Sequence, residues 1–374
     1  MTKNLKKYNI FVFISGFARS LIEIFIPLFL YKAGMTFNNI LIYYLFINFF
    51  SILVSLALLK LGKKVPYRYF LIISSIFFIF TYYLLNNYNS SFLFIITLAL
   101  CYSIYRRSYW MTKRYYSVKY AAKRKTGEAS AWITISGELA GLLSSLAGAF
   151  FLDNQKFITL ATLSLILMLI SIIPLFKIKH IKEKTATKED YKTILKNIKP
   201  DNYIILFLYE ATFYISLFFP LYLYIYVEST YTFVGIINLL IGLSSIFFVW
   251  KFGRHMDKNK KDYLRLVTII LCILYFLKLS STNSIIIAII ALLEGYLSKI
   301  HTTSYSRDIW FLGKNCNPEA YNFILETITN VGRLIIITMF ILLGFNIKQV
   351  LFISIIMFLI SSFFKFDDGK GGYH

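Results

Sequence analysis

Seven ionisable residues, Arg19, Glu23, Glu138, Glu210, Glu294, Glu326 and Arg333, fall inside long apolar runs. A charge at the centre of a bilayer costs roughly 2.5–3.5 kcal/mol on insertion scales, so such groups normally face a cavity or a partner. Arg19 and Glu23 are four residues apart, on one helix face, and can pair. Glu326 and Arg333 are seven apart, again on one face, with Asn330 between them. Five carboxylates against two guanidinium groups leave three acids without an internal cation. A carboxyl held out of water takes up a proton more readily, which is what proton coupling needs. The surplus of acid also favours a cationic or neutral ligand over an anionic one. The bland alternative for each Glu is a protonated, hydrogen-bonded role in helix packing.

Enzyme chemistry finds little support. His301, Ser304 and Asp308 lie close together in sequence, but nothing brings them into a triad and no GxSxG is present. The four histidines, His180, His255, His301 and His374, are scattered, with no HExxH and no GxxxxGK[ST] elsewhere. Cys101, Cys272 and Cys316 are far apart and form neither CxxC nor a metal spacing, so they read as free thiols. No cofactor and no metal is expected.

The elements that must position the seven charges are membrane helices. Of 374 residues, 58% are hydrophobic and only 16% are charged, where a soluble domain carries about a quarter. The 37 Phe and 29 Tyr suit lipid faces and interfacial belts. A helix needs about 20 apolar residues to cross the hydrocarbon. Segments of that size fall at 8–31, 38–60, 69–87, 91–110, 128–151, 157–176, 202–227, 231–251, 263–280, 284–300, 319–343 and 347–365. The first follows Lys3, Lys6 and Lys7 but runs on through Glu23 and Pro27 without a small-residue cleavage site, so it reads as a retained helix, not a signal peptide.

The formal net charge is +22, yet the Lys and Arg sit in short runs between apolar segments and not along one stripe. That pattern reads as topology and attraction to anionic lipid, not as nucleic-acid binding. With the N-terminus inside, 34 of the 40 basic residues fall on the inner side; Lys32, Lys156, Lys278 and Lys348 fall outside. The bias predicts both termini in the cytoplasm and an even helix count. The longest polar stretch predicts a division into an N-terminal six-helix bundle at 1–176, a cytoplasmic linker at 177–200 and a C-terminal six-helix bundle at 201–374.

The two predicted halves repeat. A shift of 191 residues places Gly62 on Gly253, Glu128 on Glu319, Ala129 on Ala320, Gly141 on Gly332 and Arg19 on Glu210. Pro27 and Pro220 interrupt the first helix of each half at similar depth, and bent helices often border a transporter's substrate site. Glu128 and Glu319 follow Thr126-Gly127 and Asn317-Pro318 and read as acids at helix N-termini, complementing the dipole.

The segment Gly253-Arg254-His255-Met256-Asp257-Lys258-Asn259-Lys260-Lys261 resembles the loop motif of the major facilitator superfamily. Its duplicate, Gly62-Lys63-Lys64-Val65-Pro66-Tyr67-Arg68, keeps the Gly and the positive charge but lacks the Asp. Gly137-Glu138-Leu139-Ala140-Gly141-Leu142-Leu143-Ser144-Ser145 resembles, in degraded form, the Gly-rich helix-5 motif of that family's drug–proton antiporters. The resemblance implies an all-α integral membrane fold of twelve helices in two pseudo-symmetric bundles, with the first and fourth helices of each half lining a cavity. It makes Gly62, Gly253, Asp257 and Lys258 candidates for gating, and it places Arg19 and Glu210 across the cavity from each other, with Glu294 near mid-membrane.

The expected function is secondary active transport of a small solute by alternating access, coupled to protons, with a preference for efflux of an amphipathic or cationic compound. A small-solute uptake permease is the nearest alternative. A membrane-embedded lipid-modifying enzyme or scramblase is the alternative of another class. The expected partners are an unidentified small-molecule substrate, protons and membrane lipids, but no nucleic acid. The chain is expected to act as a monomer in the cell membrane.

Overall fold

The computed structural model describes residues 3–62, 65–89, 91–121, 126–154, 156–177, 186–256, 264–312 and 316–364, and among them regular structure is entirely helical. The first long rod is broken. Helix α1 (Lys3–Ser20) gives way to a 3-10 turn at Glu23–Phe25, and α2 (Ile26–Lys32) resumes with Pro27 in its first turn. The backbone tightens there: Ile22 N–H donates to the Arg19 carbonyl at 3.3 Å and Phe25 N–H to the Ile22 carbonyl at 2.9 Å. Pro27 is the cause, because its ring clashes with the carbonyl four residues back and its missing N–H is harmless only at a helix start.

The chain continues through α3 (Phe37–Gly62), α4 (Arg68–Asn86), α5 (Phe92–Ala121), α6 (Thr126–Asp153) and α7 (Phe157–Phe176). A short polar helix, α8 (Lys188–Asn197), starts on a reciprocal cap between Thr187 and Asp190. Then come α9 (Pro200–Tyr209) and α10 (Ala211–Tyr226), one rod broken at Glu210. Helices α11 (Tyr231–Met256), α12 (Leu264–Ser280), α13 (Ser284–Leu312), α14 (Pro318–Leu342) and α15 (Ile347–Ser361) complete the order. Pro220 does not make the second break, contrary to the sequence-based expectation. It lies inside α10, well past Glu210, and the helical run is interrupted at Glu210.

Among the described residues, eight segments are long and apolar enough to cross a membrane, among them Lys6–Lys32, Pro200–Tyr226 and Glu319–Leu342, and Ile347–Ser361 is a shorter apolar helix. Their apolar windows are only 28–56% buried. Side chains such as Ile158, Ile285 and Leu342 form an apolar outer surface that lipid must cover.

The packing repeats along the chain. Helix α1 packs on α6 and α7, α3 packs on α5, and α4 packs on α5 and α7. Correspondingly, α9 packs on α14, α9 and α10 on α15, α11 on α13, and α12 on α13 and α15. The two sets meet through α6 against α11 and α3 against α14, which exchange under the same repeat. Two glycines face the first rods at ordinary contact distance: a Cβ on Gly141 would lie 3.9 Å from Ser20 Oγ, and one on Gly332 would lie 3.6 Å from Glu210 Cγ. These two glycines are equivalent under the 191-residue shift, and each packs on the first rod of its own half.

Two turns also correspond in form. Gly34 and Gly344 adopt φ values of 94° and 63° after α2 and α14. Met35 N–H reaches the Leu30 carbonyl at 3.0 Å and Phe345 N–H reaches the Phe340 carbonyl at 3.1 Å. Both are left-handed glycine caps that close orphan helix carbonyls.

Candidate functional site

A cavity of about 450 Å³ lies between the two sets of helices. Arg19, Ser20 and Glu23 reach it from the broken first rod, and Tyr44 from α3. Tyr102, Arg106 and Trp110 come from α5, and Glu138, Gly141 and Ser145 from α6. Phe213, Ser216 and Leu217 of α10 and Asn238, Ile241 and Gly242 of α11 close it from the other half.

The local backbone explains the first wall. The 3-10 turn ahead of Pro27 turns Glu23 toward the cavity, and Arg19 Nη1 meets Glu23 Oε2 at 3.3 Å, as the four-residue spacing predicts. Tyr105 donates its hydroxyl to Glu23 Oε1 at 2.7 Å. The Arg19 guanidinium lies 5.0 Å from the Tyr109 ring centre and 4.5 Å from that of Trp110. Cation–π contact and a carboxylate thus hold this charge in place.

The other expected charges pair differently from the sequence reading. Glu326 and Arg333 do not bond each other. Arg333 Nε donates to Glu210 Oε2 at 2.5 Å, and Glu326 accepts from Arg107 Nη1 of α5, across the two sets of helices. Glu210 is only 4% exposed and does not line the cavity, so Arg19 and Glu210 do not face each other across it. The break at Glu210 turns its carboxylate to α14 instead. Glu294 is also off the cavity wall, because α13 packs behind α11, and Lys278 Nζ donates to it at 2.7 Å. Glu138 does line the cavity, and Lys299 Nζ of α13 donates to its Oε1 at 2.8 Å.

The surplus of unpaired acid is therefore absent. Each of Glu23, Glu138, Glu210, Glu294 and Glu326 has a basic partner. Sequence reasoning missed Arg106, Arg107, Lys278 and Lys299 because it counted them among the charges flanking the membrane, although they fall within the segments 91–110, 263–280 and 284–300. Lys278 is 2% exposed, inside the last turn of α12, so it does not belong to an outer loop. Two signals were legible. Lys278 interrupts Phe276-Leu277 and Leu279, and Arg106-Arg107 is followed by Tyr109-Trp110-Met111, an aromatic run that continues the helix.

The gating candidates divide. Gly62 ends α3 under Tyr67, whose Oη would lie 3.3 Å from a Cβ placed there. Gly253 falls near the end of α11, in a stretch whose side chains are not described, and Asp257 and Lys258 lie outside the described residues. Glu128 falls in α6, again where side chains are not described. Glu319 is described: Asn317 Oδ1 caps α14 by accepting from Glu319 N–H at 3.0 Å, so the cap and the acid have separate tasks. The Glu319 carboxylate accepts from Tyr67 Oη at 2.8 Å and from Ala186 N–H at 3.0 Å. It joins the α3–α4 turn to α14 and to the segment before α8.

The profile of the Major Facilitator Superfamily matches residues 9–305, most of the chain. The chain belongs to the Major Facilitator Superfamily. Solved members share its fold over nearly the full length. The nucleoside transporter NupG superposes with a TM-score of 0.68 at 14% identity, covering 97% of this chain and 98% of that one. The human organic anion transporter MFSD10 (TETRAN) gives 0.66 at 12% identity, covering 97% and 99%. A bacterial homologue of the iron transporter ferroportin, in an outward-facing state, gives 0.65 at 13% identity, covering 97% and 98%. No curated protein sequence matches the chain. Membership makes this facilitator a multi-pass membrane transporter and not an enzyme. At these identities the likeness carries the fold alone, and the three solved relatives are described with three different cargoes, so the cargo must be argued from the cavity.

Proposed function

We propose that the protein is a secondary active transporter of the cell membrane that moves a small solute by alternating access, as a monomer, with proton coupling. Twelve membrane helices are proposed, in bundles at 1–176 and 201–374 joined by a cytoplasmic linker at 177–200, with both termini cytoplasmic. The repeated packing supports the two bundles. The excess of basic residues in the segments on the side of the N-terminus and α8 supports the orientation.

The observation that carries the reading is the charged cavity walled by helices from both halves. Rocking of one bundle against the other about such a void opens it to either side in turn. Glu138 is the candidate coupling group, because it lines the cavity and its ion pair with Lys299 bridges α6 and α13. Protonating Glu138 would release that bridge, and a released bridge favours separation of the halves there. The direction we propose is efflux, on the likeness of Gly137–Ser145 to the antiporter motif and on an aromatic lining suited to amphipathic cargo. The preference for a cationic cargo loses its ground, because no acid surplus is left.

A test that needs no substrate reads the motion directly. Spin labels at Asn86 and Ser284, both exposed and on opposite halves, report the inter-half distance in liposomes at pH 6 and pH 8, native thiols having been replaced. Two distance populations whose ratio changes with pH are expected. One unchanged distance at both pH values overturns alternating access driven by protons.

A further inference from the structure

We propose that the cargo of this cavity is an organic monoanion with an aromatic or apolar body, its oxyanion held by Arg106. The proposal rests on the transporter reading and names the substrate class for the same cavity.

The charge arrangement carries the argument. Among the described residues, the five carboxylates Glu23, Glu326, Glu294, Glu138 and Glu210 meet Arg19, Arg107, Lys278, Lys299 and Arg333 in turn. Arg106 is a further base, beyond those five. It lines the cavity with the ring of Phe213 5.3 Å from its Cζ, and Glu23 acts on it through space without taking a bond from it. No carboxylate and no hydrogen-bond acceptor among the described residues takes its guanidinium. Glu23, also on the wall, is engaged by Arg19 and by the Tyr105 hydroxyl. Glu138 is engaged by Lys299. Counting each wall acid against its partner leaves one positive charge in the void.

A guanidinium offers a planar fork of donors that matches a carboxylate or another flat oxyanion two bonds at a time. In a cavity inside the bilayer, where water is scarce, that match is worth more than at a surface. The body of the ligand is indicated by the rest of the wall. Tyr44, Tyr102, Trp110 and Phe213 present ring surface, while Asn238 and Ser216 offer polar atoms from the opposite half. A void of about 450 Å³ fits the small end of drug-sized ligands. Phe213 also lies 4.1 Å from Arg333 Cζ, so the ring that backs Arg106 touches the ion pair fixing the second-half break. An anion seated on Arg106 would thereby bear on both halves.

An isosteric series tests the charge sign. Purified full-length protein is titrated with 1-naphthoate, the neutral 1-naphthamide and the cationic 1-naphthylmethylammonium, and dissociation constants are read by thermophoresis. Naphthoate is expected to bind about ten-fold or more tightly than either analogue, the scale of one charge-assisted hydrogen bond. Arg106→Gln is expected to erase that preference. Arg106→Lys is expected to keep part of it, since the charge remains but the fork is lost. Equal binding of the three, tighter binding of the ammonium, binding of none, or an unchanged preference in Arg106→Gln each overturn the inference. Should Arg106→Gln not fold, the ligand series and Arg106→Lys still decide. The spin-label distances judge transport separately, so an altered distance without naphthoate preference removes the anion and leaves the transporter standing.

Discussion

The two halves place charge at the same point and use it differently. In the first half, Arg19 stands just before the helix break, bonds Glu23 within the same rod and faces the cavity. In the second half, the equivalent residue is Glu210, which forms the break, bonds Arg333 on α14 and is sealed from the cavity. One copy keeps its ion pair on the cavity wall, while the other uses it to tie two helices. The two sets of helices thus share the location of a break in the first rod and place different chemistry there. The first half holds the four charged groups of the wall and three of its four rings, and the second half supplies Phe213 and small polar groups.

That contrast fails most sharply if the two pairs respond alike to mutation. Glu210→Ala leaves Arg333 buried without its partner, and breaking a buried pair costs about 3–5 kcal/mol. Loss of folded yield and a fall in melting temperature are expected. The double change Glu210→Leu with Arg333→Leu is expected to recover much of the loss, because it removes both charges. Glu23→Gln, by contrast, is expected to fold normally and lose transport, since Arg19 keeps its cation–π contacts with Tyr109 and Trp110. Equal melting temperatures for Glu210→Ala and Glu23→Gln break the comparison.

Much of this was legible before any coordinates. The apolar periods gave the helices, the 191-residue shift gave the repeated packing, and the spacing of Arg19 and Glu23 gave their pair. Partner choice was not legible where it depended on helix rotation. Glu326 and Arg333 share a face on paper, but a helix in a bundle is surrounded, and each found a closer base or acid on a neighbour. The missed cations have a simpler cause. Arg106, Arg107, Lys278 and Lys299, which stand near the ends of apolar runs, were counted as flanking charges, whereas Glu294 in a similar setting was read as a site. Applying one standard to both signs would have placed Lys278 opposite an internal acid. It would also have removed the acid surplus that suggested a cationic cargo.

Glu138→Gln sharpens the contrast from the cavity side. Its side chain is 35% exposed, so losing its pair with Lys299 is expected to cost little stability, about 1 kcal/mol or less. The effect should appear in coupling instead. Gln carries no charge, so the ion pair to α13 is absent at every pH and at most a neutral hydrogen bond from Lys299 remains. Initial flux measured at pH 6 and pH 8 is expected to become equal in the mutant while differing in the parent. A mutant that keeps the parent's pH response removes Glu138 from the coupling role.

The smallest expected effect lies farthest from the cavity. Tyr67 gives its hydroxyl to Glu319 at 2.8 Å, and Glu319 also holds Ala186 N–H, so one carboxylate ties the α3–α4 turn, α14 and the segment before α8. Tyr67→Phe removes one bond and keeps the ring over Gly62. The net worth of such a bond to a charged acceptor is about 1.5–3 kcal/mol when fully buried, and less at this part-buried site. Global melting should barely move, because Asn317 still caps α14 and the helices still pack. The clasp joins elements from opposite halves, so its loss should bias which side is open. In the spin-label measurement, the distance distribution of Tyr67→Phe is expected to shift several-fold in population at fixed pH. If the populations match the parent while Glu138→Gln alters them, the clasp is only a structural tie, and coupling between the halves runs through the cavity wall alone.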